Sequence, residues 1–319
     1  MTRIPLGSGG EFDRVRAIVA ALGDAVGPIG DDAAVIPEGD GTLVISIDAS
    51  VEDVHFRQDW LSLEEIGWRA TASALSDLAA SAAIPVGVVA AVVVPRGASQ
   101  DALVELMRGV GAATASVGAR LLGGDLTSGR QWAVVLTVFG RAARRMSRVG
   151  AAPGDGLWVT GALGGARSAL QAWTASMEPD AAARRAFAHP LPRIAAAQWL
   201  ATHGATAMMD LSDGLGGDAE HLAAASGVQA QLDLDLLPLH PSVSAAARHI
   251  GEAPQLFAAR AGEDYELLVT LPHDFQGGVD FGGATGIALT RIGTVASGAG
   301  VRATLDGVTQ SFQGFRHAV

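Results

Sequence analysis

The sequence predicts a two-domain α/β (α+β) protein, and three observations carry that expectation. The 319 residues suffice for two domains of ordinary size, each with its own core. Up to about Gly140, apolar strand patterns mix with amphipathic helix patterns, as expected of a mixed sheet with helices. A basic, irregular stretch from Arg141 to Arg148, then Pro153-Gly154-Asp155-Gly156, interrupts the pattern before strand and helix signals alternate as in an α/β sandwich. The expected domains are therefore residues 1–145 and 146–319.

Taken in order, residues from Gly10 to about Leu22 read as an amphipathic helix. Gly27 to Phe56 is the most acidic stretch, with Asp31, Asp32, Asp48, Glu52, Asp53 and His55. Within it Leu43 to Asp48 reads as a strand, so Leu43, Ile45 and Ile47 share one face while Ser46 and Asp48 share the other. Asp31 and Asp32 follow a Gly-Pro-Ile-Gly turn and precede the apolar Ala33 to Ile36, as though a loop delivered carboxylates to a sheet edge. Gathered carboxylates repel one another, and a hard cation such as Mg²⁺ relieves that repulsion; Asp32 and Asp48 are the favoured ligands. Glu38, Asp40, Asp59 and Asp31 are expected to be solvated turn residues.

Ser62-Leu63-Glu64-Glu65 has the form of a capping box opening a helix to about Ala82. Asp77 lies eleven residues beyond Ile66 on that helix, only roughly 20° away around the axis, so it shares a side with Ile66 and Ala70 and requires a partner. Ile84 to Val94 reads as a strand buried on both faces, Asp101 to about Val117 as a helix, and Trp132 to Gly140 as a strand. Between the last two, Gly123-Gly124-Asp125 is expected to begin a loop where amides approach a ligand and the acid holds a metal. Beyond the boundary the expected elements are Leu157 to Thr160, Ala166 to Trp173, Arg193 to His203, Thr206 to Leu211 and Asp218 to Ala225. Asp210-Leu211-Ser212-Asp213-Gly214 falls between a strand and a helix N-terminus, a position that suits phosphate or a metal-phosphate group, although Ser212 or Asp213 could equally cap the helix. Gly262 to Val269 reads as a turn entering a strand, with Glu263 and Tyr265 on one side and Asp264 on the other. The glycine-rich remainder has no strong periodicity.

Composition narrows the chemistry. There is no cysteine, which excludes disulfides, zinc thiolates and thiol nucleophiles. The 22 basic against 33 acidic residues give a net charge of −11, contrary to nucleic-acid binding or adhesion to an anionic membrane. All the basic residues are arginine, so neither a Schiff base nor a phosphate-loop lysine is available, and nucleotide chemistry would fall to metals, arginine and backbone amides. With no signal-like N-terminus and no apolar run of spanning length, a cytoplasmic protein is expected.

Six motifs in register then carry a family resemblance: Gly30-Asp31-Asp32-Ala33-Ala34, Ser46-Ile47-Asp48 with Val51 to Phe56, Leu75-Ser76-Asp77-Leu78-Ala79-Ala80, Gly123-Gly124-Asp125, Asp210-Leu211-Ser212-Asp213-Gly214-Leu215 and Gly262-Glu263-Asp264-Tyr265-Glu266-Leu267. Together they resemble the thiamine-monophosphate kinase family, of the aminoimidazole ribonucleotide synthetase-like superfamily, over nearly the whole chain. The resemblance implies that two-domain fold, with an N-terminal ATP/Mg-binding and dimerisation domain, a C-terminal substrate-binding domain, and a homodimer. It implies several Mg²⁺ ions held by Asp32, Ser46, Ile47 through its carbonyl, Asp48, Asp77, Asp125 and Asp210, with Asp213 reaching a further ion. ATP would meet Gly124, Asp125, Arg148, Ser212 and Met107. Thiamine monophosphate would meet His55, Glu263 and Phe315, although alone His55 reads as a loop histidine and Phe315 as core. This chain departs from the pattern at Ile47, where the family often has threonine, at Leu126-Thr127-Ser128-Gly129 after the Gly-Gly-Asp motif, and at Met107, where a tyrosine commonly lies near adenine. The implied reaction is direct phosphoryl transfer from ATP to a phosphate, with no protein nucleophile and no strong general base. A sister synthetase and a non-catalytic nucleotide-binding protein of the same fold are the rival expectations; the GEDYEL string and the aromatic residue near the C-terminus weigh against the first, and the nearly complete set of acids against the second.

Overall fold

The computed structural model describes residues 10–22, 31–38 and 41–310. After helix α1 (Gly10–Leu22), the first half forms a five-stranded sheet from β1 (Ala34–Glu38), β2 (Gly41–Val51), β3 (Ile84–Pro95), β4 (Arg120–Gly129) and β5 (Ala133–Ala142), in the order β1-β2-β5-β3-β4. All neighbours are antiparallel except β3 and β4. Helix α2 (Leu63–Ala80) starts at the expected capping box: Ser62 Oγ accepts from the Glu65 amide at 3.2 Å, and Glu65 Oε2 accepts from the Ser62 amide at 2.8 Å. Helix α3 (Gln100–Ser116) crosses α2 at two glycines that no other residue could replace without moving backbone. A Cβ on Gly67 would meet Leu106 O at 2.0 Å, and one on Gly109 would meet Glu64 O at 1.9 Å.

The second half is a seven-stranded sheet of β6 (Gly156–Thr160), β7 (Ala207–Asp210), β8 (Gln229–Asp233), β9 (Leu267–Leu271), β10 (Leu289–Ala296), β11 (Gly300–Leu305) and β12 (Val308–Gln310), in the order β12-β11-β8-β10-β6-β9-β7. One side packs against α4 (Gly165–Thr174), α5 (Ala181–Ala188), α6 (Ile194–Thr202) and α10 (Gly278–Thr285). The other packs against α7 (Leu215–Ser226), α8 (Val243–Ile250) and α9 (Pro254–Ala259). The first of these cores runs without a break into the N-terminal sheet, where Trp60 stacks on Trp173 at 5.5 Å. Thirteen of the eighteen α2 residues are buried, because this helix lies against both halves.

Two sequence expectations fail here. Strand β3 is not buried on both faces: Ile84 and Val86 are exposed, as are Ile36 and Ile47 on neighbouring strands, so the sheet face away from α2 is apolar and uncovered in the single chain. Gly123-Gly124-Asp125 is not a loop but part of edge strand β4, and a Cβ on Gly124 would meet Ala90 O at 1.9 Å. That glycine serves strand contact. Among the described residues, no helix is long and apolar enough to cross a membrane.

Candidate active site

The two halves bring three carboxylates to one point. Asp32 stands just before β1, Asp77 in the last turns of α2 and Asp210 at the end of β7, and one oxygen from each lies within 4.8 Å of the others. Ser46, on the α2 side of β2, places Oγ 2.5 Å from Asp77 Oδ2 and 3.2 Å from Asp32 O. Asp48 is two residues further on the same strand face, as the alternation predicted, and adds its charge to Asp77 and Asp210. Ile47 points the other way, 65 % exposed, so only its backbone could serve a ligand at the cluster.

These groups are strained electrostatically. Burial, then the charges of Asp210, Asp48 and Asp32, hold the Asp77 carboxyl well above the usual range, against a smaller opposing effect of the Ser46 hydroxyl. Burial and the Asp32 charge push Asp210 up to about 7, while the Ser76 hydroxyl and Arg148 pull it back. Arg148 clamps Asp32 through Nε, 3.1 Å from Oδ1, and through Nη2 on the same oxygen. Asp32 Oδ2 is left buried with no hydrogen-bond partner among the described residues. A buried carboxylate oxygen without a donor, facing two further acids and a serine hydroxyl, fits a hard cation with oxygen ligands. Asp31 is not the solvated turn residue that the sequence suggested: Arg145 pairs with it, and the Arg148 amide donates to Oδ1 at 3.2 Å.

Beside the cluster, Gly214 is the N-cap of α7, and no side chain caps that helix, so neither Ser212 nor Asp213 takes the capping role open to it. The Asp213 amide instead donates to Asp218 Oδ2 at 3.2 Å. Asp218 is an acid the sequence did not single out; it is fully buried, and burial together with Asp213 and Asp210 raises its carboxyl well above the usual range. His55 Nδ1 accepts from the Val51 amide at 3.1 Å, which assigns the neutral ring's proton to Nε2. Met107 is half-buried on α3 and packs against the N-terminal core. Phe315 lies outside the described residues.

Asp125 is not with the trio. The register runs Asp48, Leu136, Ala90, Gly124 across the inner face and Ala49, Val135, Ala91, Asp125 across the outer one. Asp125 therefore sits on the exposed face, three strands or roughly 14 Å from β2. Strand pairing, invisible in a Gly-Gly-Asp string, decides this.

Residues 262–266 form the other wall. Strand β9 begins only at Leu267, and the turn before it holds Glu263 at φ 65° and Tyr265 at φ 50°, a costly region for side chains with a Cβ. Its backbone is pinned to the Asp210–Gly214 segment: the Glu263 amide donates to Ser212 O at 2.7 Å and the Tyr265 amide to Leu211 O at 2.9 Å. Asp264 turns away, as expected, and accepts from the Gly164 amide at the start of α4 at 2.9 and 3.0 Å. Glu266 is buried and receives Arg193 Nε at 2.7 Å and Thr160 Oγ1 at 2.6 Å. Glu263 pairs with Arg69 of α2, another residue the sequence did not flag.

Residues 30–142 match the model of the AIR synthase related protein N-terminal domain, and residues 152–306 that of the C-terminal domain. The thiamine-monophosphate kinase of Caulobacter vibrioides is 35 % identical over 320 residues, covering 96 % of this chain and 90 % of that one. That of Mycobacterium tuberculosis (strain ATCC 25618 / H37Rv) is 36 % identical over 246 residues, 76 % of this chain and 74 % of that one. The solved structure described as AaThiL complexed with AMPPCP and TMP superposes with a TM-score of 0.87 at 28 % identity, covering 97 % of both chains. The thiamine monophosphate kinase structure from Stenotrophomonas maltophilia K279a gives 0.77 at 32 % identity, covering 95 % of this chain and 98 % of that one. With both family domains matched in order and a relative 35 % identical over nearly the whole chain, this chain belongs to the AIR synthase related family, among the thiamine-monophosphate kinases.

Proposed function

We propose that this chain transfers the γ-phosphoryl group of ATP to the phosphate of thiamine monophosphate, giving thiamine diphosphate and ADP, in the cytoplasm. The observation that carries this is the trio Asp32, Asp77 and Asp210, with its buried, unpartnered Asp32 oxygen. Those acids with Ser46, Asp48 and the Ile47 carbonyl would hold Mg²⁺, and Asp213 a further ion at the nucleotide. Bound there, Mg²⁺ would neutralise phosphate oxygens and stabilise the charge on the transferring group. The protein's own part is placement. Arg148 fixes Asp32, Ser46 orients Asp77, and the uncapped N-terminus of α7 beside Ser212 offers amides and a positive dipole end to phosphate. The acceptor is already an anion at neutral pH, its second pKa being near 6, so no residue has to remove a proton. Glu263, His55 and Phe315 would hold the thiamine portion; Gly124, Arg148, Ser212 and Met107 would contact ATP. Residues 1–145 would supply nucleotide, metal and dimer contacts, and residues 146–319 the substrate domain. Incubation with Mg·ATP and thiamine monophosphate should yield the diphosphate, and chelation should stop turnover and weaken ATP binding. Undiminished ATP affinity in chelator would contradict the metal cage.

The exposed apolar sheet face with Ile36, Ile47, Ile84 and Val86 supports a homodimer, and sedimentation should give about twice the 32.4 kDa chain mass. Asp125 lies on that face, so as a ligand it would serve a partner's site. Mixing inactive Asp48→Asn and Asp125→Asn proteins under exchanging conditions should then restore about a quarter of wild-type activity, because half the dimers carry one intact composite site. No recovery after verified exchange would place Asp125 outside the site.

A further inference from the structure

We propose that Arg69 is the positioning residue for Glu263, presetting the carboxylate that meets the cationic thiamine portion; this rests on the kinase function above. Arg69 is 4 % exposed on α2, and its guanidinium is fixed before Glu263 is considered. Nη1 donates to Phe187 O at 2.5 Å, and the guanidinium carbon stands 3.7 Å from the Phe187 ring centroid. Nη2 then lies 2.5 Å from Glu263 Oε1, in an ion pair rather than an aligned hydrogen bond. The pair is lopsided: the Arg69 side chain is 5 % exposed and that of Glu263 31 %. One carboxylate oxygen is thus held from the protein side while the group as a whole still reaches solvent.

The backbone of Glu263 needs such an anchor. It sits at φ 65°, where a residue with a Cβ stays only if its surroundings hold it, and its amide is tied to Ser212 O. Arg69 supplies the side-chain half of that constraint. The same helix carries Asp77 eight residues on, about 12 Å along the axis. A single rigid element therefore sets the spacing between the carboxylate for the cationic end of the substrate and the acids for its phosphate end. Preorganising Glu263 in this way lowers the ordering cost of binding that end.

The test is steady-state kinetics on Arg69→Met and Arg69→Lys, with thermal melts to verify folding. Arg69→Met should raise KM for thiamine monophosphate about tenfold, leaving kcat within about twofold and KM for ATP unchanged. Arg69→Lys keeps the charge but cannot hold Phe187 O and Glu263 together, and should fall between; it decides the matter if the Met variant does not fold. Glu263→Ala should raise the same KM at least as much, and Arg69→Met added to it should change nothing further. Wild-type KM for thiamine monophosphate in either Arg69 variant, equal rises for both substrates, or additive effects would overturn the proposal. An inactive wild-type enzyme would instead overturn the kinase function, and the two failures are distinct.

Discussion

Asp210→Asn is expected to lower kcat by about 10²–10³-fold or more while making the metal-free protein more stable, not less. Asn keeps the shape of the side chain and removes one charge from a site where acids already repel one another. In the metal-free protein that charge is a liability: Asp210 is fully buried at the end of β7, beside Asp32 and within the field of Asp48. In the working enzyme, on the proposed function, it would be an oxygen ligand for the metal that meets the phosphates. The two measurements should therefore move in opposite directions. Melting in chelator should show the variant at or above wild type, and added Mg²⁺, which should raise the wild-type midpoint, should raise the variant's much less. A variant that loses stability and activity together would mark Asp210 as structural.

The same electrostatics fixes a pH dependence. A carboxyl whose pKa is raised on folding binds a proton in the native state that the unfolded chain has released. Unfolding free energy then falls as pH rises from the unfolded pKa, near 3.9, to the folded one. For Asp210, pushed up to about 7, the window is roughly pH 4 to 7, and Asp77, displaced in the same direction, adds to it. Metal-free protein should lose a few kcal/mol across that interval, by order of magnitude, and Asp210→Asn should flatten the slope. Mg²⁺ should restore stability at the upper end. A flat wild-type profile would show that other groups compensate these acids.

Most of the acid cluster was legible in the sequence because its members occupy regular elements. Period-2 alternation puts Ser46 and Asp48 on one strand face, and the helical angle puts Asp77 on the buried side of α2. Asp210 was visible as an acid at a strand end before a helix. What could not be read depends on partners far away in the chain. Gly123-Gly124-Asp125 has turn composition, yet pairing with β3 makes it an edge strand and turns Asp125 outward. An arginine within a helix reads as solvated surface, so Arg69 becomes evident only once Phe187 and Glu263, more than a hundred residues on, close around it. Asp218 likewise reads as an exposed acid in the first turn of a helix. Burial against the Asp210–Gly214 segment is a tertiary fact. From Gln229 onward strands of three to eight residues and helices of six to eight carry too few residues for periodicity to register, and β8, α8–α10 and β10–β12 escape the sequence pattern, as does α5 earlier.

Acceptor choice should show the second large effect: thiamine monophosphate should be phosphorylated at least about 10³-fold faster than thiamine, compared as kcat/KM under the same Mg·ATP. The site is built from anionic oxygens, and what such a site positions, through metal, is another set of phosphate oxygens. At 4 Å two unit negative charges repel by about 1 kcal/mol in water and about 4 kcal/mol at an effective dielectric of 20, so a site that brings two phosphates together must first cancel that repulsion. The cations that the trio Asp32, Asp77 and Asp210 would hold, on the proposed function, supply that cancellation. A neutral alcohol gains nothing from this arrangement. It would also need its proton removed, and His55, the histidine of the acidic stretch, already has Nδ1 occupied as acceptor of the Val51 amide, leaving a protonated Nε2 that is no base. A thiamine rate within tenfold of the monophosphate rate would mean that some group here accepts a proton from a hydroxyl, and the direct transfer between phosphates described above would have to be abandoned.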